Sequence, residues 1–443
     1  AVHRIRPLGG GEAMERRAGG RSVERTGPIR FRTTFRNVIY DVFKARNWKE
    51  TDSDADWDVA WIDTGWMREF FDSMHLEEHQ LINHFRNHYE LTRKDLLIKN
   101  LKRMQRSLVR EDRLAEAARF EFYPQTYVLP ADYGLFVEEF KQQPGAFWIM
   151  KPIGKAQGKG IFLFNKLSQI SDWKKDSRWK PSASRDPQEQ APQAETYVVQ
   201  KYLENPLLIG GKKFDLRIYA LVTSYSPLTV YLYRSGFARF SNSRYQITKN
   251  TLTDNYVHLT NAAIQKTAPG YEKDVGCKWP LRSFKLHLIS QFGVARIDEL
   301  FLGIQNIIIN SLLAVQKVMI NDKHCFEVYG YDIMIDDMLK PWLIEVNSSP
   351  SISADSQADY DLKYGLLDDV YTILDPEGQL DDELYEQVGG FDLIYHNGPI
   401  KVDKQHQFTT KLGCYDDRPR NLKRLFKQHA KHRATPALSA AAT

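Results

Sequence analysis

Hydrophobic and polar positions follow two rhythms along the chain. LTRKDLLIKNLKRMQRSLVREDRLAEAA (91–118) spaces its apolar residues at i, i+3 and i+4, which predicts a charge-rich amphipathic helix. Apolar runs at 281–292 and 297–319 predict buried helices, and an acidic helix is expected near 358–373. DWDVAWID (56–63) instead alternates with period two, like a strand. FWIMKPIGKAQGKGIFLF (147–164) reads as strand, Gly/Lys turn, strand. TYVVQKYL (196–203), KFDLRIYALVTS (213–224) and LTVYLYRSGFARF (228–240) suggest a sheet, and EVYGYDIMID (327–336) and KPWLIEVN (340–347) supply two more strands. Three prolines among Ser, Gln and Asp at 176–195 predict a mobile loop. No repeat is visible, and the pattern is α+β, with antiparallel sheets flanked by helices.

Composition narrows this picture. A chain of 443 residues allows two or three small domains or one multi-lobed enzyme, and 42% apolar residues suffice for a substantial core. Cys277, Cys325 and Cys414 are far apart, which supports neither a disulfide framework nor a cysteine zinc site. No uninterrupted apolar run reaches the ~18 residues of a membrane span, and residues 1–30 are Arg- and Gly-rich rather than signal-like. The expectation is a soluble intracellular protein.

The net charge of +5 is too small a surplus to announce a nucleic-acid or membrane binder, but it is unevenly placed. Residues 1–36 carry +6 and residues 401–443 carry +7, which leaves −8 on 37–400. The first arm has no periodicity and is expected to be disordered. In the tail, Leu422, Leu425 and Phe426 share one helical face while Lys423, Lys427 and Lys431 lie on another. That is either a basic amphipathic helix for an acidic partner or a solvated, frayed end.

Three constellations carry candidate chemistry. Lys151 ends a strand, and GKAQGKGI (154–161) follows with three glycines, Lys155 and Lys159. Such a turn lets backbone N–H groups approach phosphates, although an ordinary hairpin turn has the same composition. It is not a Walker A motif. In PWLIEVNSSPS, strict alternation places Leu343, Glu345 and Asn347 on one face and Trp342, Ile344 and Val346 on the other. Asp332 sits in an equally apolar strand, and three hard oxygen donors from two strands suit Mg²⁺; solvent-facing acids on an edge strand are the alternative. Lys201, Lys213, Arg217 and Arg239 interrupt apolar strands and call for anionic partners, with Asp215 as a structural candidate for part of that role. Together these pieces describe Mg²⁺- and ATP-dependent phosphoryl transfer without identifying the acceptor.

The motifs WIMKP, QGKGIFLF, VVQKYLENPLLIGGKKFDLRIYALV, GFARFS, YVHLTN, GCKW, YGYDIMID and PWLIEVNSSPS, in this order over roughly 30–400, resemble the tubulin-tyrosine-ligase-like amino-acid ligases. HFRNHYELTRKDLLIKNLKR (84–103) and VGGFDLIYHNGP (388–399) are most similar to the short polyglutamylases of that family. The resemblance implies an ATP-grasp-like fold with its nucleotide cleft between central and C-terminal lobes. The implied boundaries are a basic arm at 1–29, an N-terminal lobe at 30–86, a central lobe at 87–198, a C-terminal lobe at 199–400 and a basic tail at 401–443.

By motif match, the resemblance assigns ATP phosphates to Lys151, Gln157 and Gly158, and the adenine pocket to Gln200, Lys201, Tyr202 and Leu203. Lys213, Asp215, Thr260 and Asn261 match further nucleotide contacts, and Arg217 an arginine near the γ-phosphate and acceptor. Arg239, Lys278 and Lys363 match positions holding free L-glutamate, while Asp332, Glu345 and Asn347 match the magnesium ligands. Arg217 and Glu345 are the implied catalytic residues, and Arg239 has the planar fork that suits a carboxylate.

The implied activity is ATP- and Mg²⁺-dependent addition of L-glutamate to glutamate side chains of tubulin tails through an acyl phosphate. A glycylase on the same scaffold and a non-catalytic microtubule scaffold are the alternatives. Tubulin tails, microtubules and accessory subunits are the implied partners, with no nucleic acid and no membrane. The implied location is the cytoplasm and cytoskeleton, including the axoneme and basal body of cilia or flagella. The family's long cationic extension is not matched after residue 400, from which a need for a partner complex is expected.

Overall fold

A computed structural model describes residues 27–155, 158–170, 196–248, 251–269, 278–348, 350–380 and 383–433. The expected loop at 176–195, residues 1–26 of the arm, Gln157, Cys277 and the last ten residues of the tail lie outside the described residues.

Three sheets follow one another along the chain. β1 (Arg30–Thr33), β2 (Lys49–Glu50), β3 (Val59–Trp61) and β4 (Leu81–Ile82) form a small parallel sheet in the order β2-β1-β3-β4. The period-two reading of 56–63 finds β3 in place, but Val59, Ala60 and Trp61 are all buried because the sheet is covered on both faces. Helix α1 (Val38–Ala45) starts at Asn37, whose side chain accepts from the Ile39 N–H.

The helix expected over 91–118 is three pieces: Tyr89–Thr92, α2 (Lys94–Arg110) and Leu114–Ala118. Arg93 is extended and Asp112 has φ 56°, so the apolar stripe continues across two breaks in the backbone. β5 (Thr126–Leu129), β6 (Trp148–Pro152), β7 (Phe162–Phe164) and β8 (Tyr197–Lys201) make an antiparallel sheet, order β5-β8-β6-β7, backed by α3 (Tyr133–Gln142).

The third sheet is antiparallel and largest. Its order is β14-β13-β10-β11-β16-β15, with β9 (Leu208–Ile209) on β10 and β12 (Lys278–Pro280) on β11. β10 (Lys212–Tyr225) and β11 (Leu228–Arg244) are its long central strands. β13 (Glu327–Ile335) and β14 (Pro341–Ser348) flank them on one side, β15 (Gln387–Val388) and β16 (Phe391–His396) on the other.

Even positions of β10, such as Leu216, Ile218 and Ala220, face a core built with α4 (Leu281–Phe292) and α5 (Val294–Gln316). α5 is long and apolar enough to cross a membrane by length and composition, yet most of its apolar face is buried in this core. Odd positions face the other way. Tyr219 and Leu221 pack with α6 (Gln357–Leu374), which in turn meets Ile39, Val42, Phe43 and Trp48 of the N-terminal region. The far end of that second face, around Lys213, Asp215 and Arg217, is where the polar residues gather. Helix α7 (Arg418–Arg433) returns to the body, with Leu425 fully buried in the second core.

Candidate active site

Register across the large sheet builds the site row by row. Asp215 of β10 lies opposite Arg239 of β11, and Arg217 lies opposite Asp332 of β13. Asp332 lies opposite Glu345 of β14, and Gly330 opposite Asn347. A register shift between Asp332 and Ile333 makes Ile344 an extra residue, so Leu343 pairs with Ile333 while Glu345 pairs with Asp332. The strict alternation expected for this strand is therefore corrected. Leu343 faces the α4–α5 core with Val346, and Glu345 and Asn347 face the site. A bulge re-aims a side chain in this way.

The buried cations and carboxylates are paired. Arg217 donates to Asp332 from Nε (2.6 Å) and Nη2 (3.1 Å). Arg239 donates from Nε to Asp215 (2.8 Å), and its Nη2 lies 2.9 Å from Asp332. Its fork is thus engaged by Asp215, which leaves Nη1 as the part not facing either aspartate. Burial pushes the Asp332 carboxyl up, but the Arg217 and Arg239 guanidiniums outweigh it and hold the group well below the usual range. Gly330 has Arg217 Cδ 3.4 Å from where its Cβ would sit, so the arginine lies flat against the strand.

The other wall of the cleft comes from the second sheet. Lys151 is buried and donates to Gln200 Oε1 (2.7 Å), whose Nε2 donates to Thr126 Oγ1 (2.9 Å). Burial lowers the Lys151 ammonium to about 8, with Glu345 acting against it. Lys213 donates to the Tyr202 hydroxyl and the His258 carbonyl, both at 2.9 Å, and burial lowers it to about 7 against the pull of Asp215. Burial and the Lys213 charge lower His258 to about 4, so its ring is neutral and shares a hydrogen bond with Tyr202. Gly158, at φ 77°, approaches Asn261: a Cβ there would lie 3.5 Å from its Oδ1 and clash with Ile264. Thr260 beside it is buried.

A cavity of about 850 Å³ opens at the link between the two sheets, lined by Lys201, Tyr202 and Leu203 together with Tyr123, Asp336 and Trp342. Gln200 points instead toward Lys151, between Thr126 and Glu345. At the opposite end, Lys278 of β12 and Lys363 of α6 converge on Asp359. Of the residues singled out from sequence, Lys151 and Gln200 lie beside Glu345, and Lys213 bonds Tyr202. Arg217 and Arg239 pair with Asp332 and Asp215, and Lys278 and Lys363 share Asp359, while Gln157 lies outside the described residues.

Two residues were not legible. Lys94, the first residue of α2, reaches Glu345 at 3.1 Å; only its place just after the extended Arg93 sets it apart from other surface-like lysines. Asp359 carried a signal in its i, i+4 spacing to Lys363 on a helix face that turns out buried.

Asp332, Glu345 and Asn347 place two carboxylates and an amide oxygen on one face of adjacent strands, a hard-oxygen set that fits Mg²⁺. Asn347 Nδ2 lies 3.3 Å from the Gly330 carbonyl, which leaves its oxygen free of that bond.

An α+β fold with two antiparallel sheets closing on a cation-lined cleft is the ATP-grasp-like class. The chain belongs to the tubulin-tyrosine ligase family: the model of that family matches residues 72–381. It is 48% identical to a probable tubulin polyglutamylase TTLL9 of Bos taurus, over 94% of this chain and 96% of that protein. It is 47% identical to the Mus musculus protein of the same name, with the same coverage. It is also 42% identical to a probable alpha-tubulin polyglutamylase Ttll1 of Tetrahymena thermophila, over 85% of this chain and 95% of that one. The enzyme class is that of a ligase forming amide bonds.

Proposed function

We propose that this protein is a tubulin polyglutamylase that uses ATP and Mg²⁺ to join free L-glutamate to glutamate side chains of tubulin tails. The observation that carries the reading is one cleft in which Lys151, Lys213, Arg217 and Arg239 face Asp332, Glu345 and Asn347. Full-length similarity to proteins named as tubulin polyglutamylases supports the substrate. The same likeness supports association with the tubulin cytoskeleton. The three sheets support an N-terminal, a central and a C-terminal lobe, with the nucleotide between the last two.

In this reading Lys151, Gly158, Lys213 and Asn261 hold the triphosphate, and Lys201–Leu203 border the adenine. Buried lysines that lose charge without an anion regain it beside phosphate, which ties nucleotide binding to protonation. Asp332, Glu345 and Asn347 would hold magnesium, which when bound would neutralise charge on the phosphates. Arg217, fixed flat between two strands, orients the acceptor carboxylate and the phosphoryl group it receives. The acceptor γ-carboxylate takes the γ-phosphoryl group of ATP and ADP leaves. The amine of free L-glutamate then attacks the acyl carbon, phosphate departs and one proton is released. No protein nucleophile takes part.

The test uses purified protein, Mg-ATP and microtubules with labelled glutamate, glycine or tyrosine in separate reactions. Glutamate entering tubulin is the expected result. Incorporation of glycine alone overturns the glutamylase reading, and incorporation of none, with or without cell extract, favours a non-catalytic scaffold.

A further inference from the structure

Lys213, Tyr202 and His258 come from three segments: β10, the link after β8, and the end of the short helix Asn255–His258. All three are buried. Lys213 Nζ donates to the Tyr202 hydroxyl and to the His258 carbonyl, both at 2.9 Å. The Tyr202 hydroxyl lies 2.9 Å from His258 Nδ1, and His258 Nε2 lies 2.9 Å from the Thr251 carbonyl. Tyr245 stands edge-on to the His258 ring at 5.9 Å, its own hydroxyl donating to the Glu204 carbonyl at 2.8 Å.

The direction of every bond in this chain follows from its far end. A carbonyl oxygen only accepts, so His258 Nε2 carries the ring proton. Burial and the Lys213 charge keep the ring neutral, and a neutral imidazole has one donor and one acceptor. Nδ1 is therefore the acceptor, and the Tyr202 hydroxyl donates to it. A phenol has a single proton, so its oxygen then presents lone pairs to Lys213. The ammonium has three donors and turns about one bond, so two acceptors in fixed places set the direction of the third. His258 thus holds Lys213 twice, by its carbonyl directly and by its ring through a phenol.

We propose that His258 is a positioning residue for nucleotide binding: its Nε2-protonated ring orients the Tyr202 hydroxyl so that the remaining donor of Lys213 is aimed at the nucleotide. This role rests on the ATP reading above and deepens it. With no acceptor at Nδ1, nothing keeps the phenol proton from facing the ammonium, and a buried cation loses one of its two fixed partners.

The experiment is calorimetric titration of the full chain with a non-hydrolysable ATP analogue and Mg²⁺, alongside nitrogen NMR of histidine-labelled protein. Wild type is expected to bind the analogue and to show His258 with an unprotonated Nδ1. H258F keeps an aromatic ring without its nitrogens and should lose about tenfold in affinity. Y202F should lose about as much, and the double variant little more than either alone, because both break one chain. H258N sets its side-chain oxygen near the place of Nδ1 and should recover most of the loss. It also carries the test, with the wild-type spectrum, should H258F not fold. Additive losses, no recovery in H258N, or a proton on Nδ1 overturn the positioning role alone. H258F that melts earlier yet binds the analogue within about twofold of wild type leaves His258 a structural residue and overturns it too. Wild type that binds no nucleotide overturns the ATP reading together with it.

Discussion

Lys213 is a buried cation whose direct acceptors among the described residues are a phenol and a carbonyl. Its folded value of about 7 lies below the ordinary 10.5, so the unfolded chain binds more protons between those limits and stability rises with pH across that window. Below about pH 7 the full cost of burying the charge is present. Lys213→Met is expected to remove that cost, stabilising the ligand-free protein at neutral and lower pH by on the order of a few kcal/mol and flattening the rise. Denaturant melts at several pH values check this. The same variant should lose nucleotide binding. With Lys151 at about 8, nucleotide binding near that pH should also take up protons. Titrations in buffers of different ionisation enthalpy would show it, and zero uptake would count against phosphate at these lysines. Glu345→Ala should abolish labelling while leaving the fold intact, because the Glu345 side chain keeps 20% of its surface exposed and belongs to no apolar core. At this scale the sequence was most readable where a charge interrupts an apolar strand, as at Lys213, Arg217 and Asp332. Lys278 and Lys363 came only from family likeness, because their partner Asp359 is distant from Lys278 in sequence and its burial depends on tertiary packing.

Strand β14 shows the limit of reading by period. The count from Leu343 to Glu345 says one face, but the extra residue Ile344 puts them on opposite faces. Nothing in the local pattern marks a bulge, since the pairing partner decides it. The long strands β10, β11 and β13 were legible as near-continuous apolar runs, buried on both faces. Helix α7 was legible as an amphipathic element but not as a docked one. Leu425 is fully buried, and Arg418 bonds Asp369 at 2.8 Å and also pairs with Asp368. Leu425→Ala should therefore cost about 2–5 kcal/mol, as for other buried leucines. Denaturant unfolding checks this, and a change within error would mean that the helix is frayed in solution.

Across the whole molecule, the net charge is a poor summary of what it can bind. The stretch 37–400 is net −8, yet the buried cations Lys151, Lys213, Arg217 and Arg239 stand near Asp215, Asp332 and Glu345, where carboxylates and phosphates are the natural ligands. Exposed charge outside that cleft acts at longer range and is screened by salt. Raising ionic strength should therefore weaken microtubule co-sedimentation more than it weakens nucleotide binding. Equal salt sensitivity of the two would contradict this separation. Helix α6 links the distant parts of the chain. Near its C-terminal end Arg46 holds Asp368 (2.8 Å) and Thr372 (2.7 Å), Trp48 and Arg46 share Glu377, and Arg418 arrives from the other end of the chain. Near its N-terminal end stand Asp359 and Lys363. The helix is a beam whose far end is clamped by residues from both ends of the polypeptide. A protein cut short before Arg418 would lose the buried Leu425 and leave the buried Asp369 without its arginine, so the footing of Lys363 at one end of the helix depends on chain that joins it at the other.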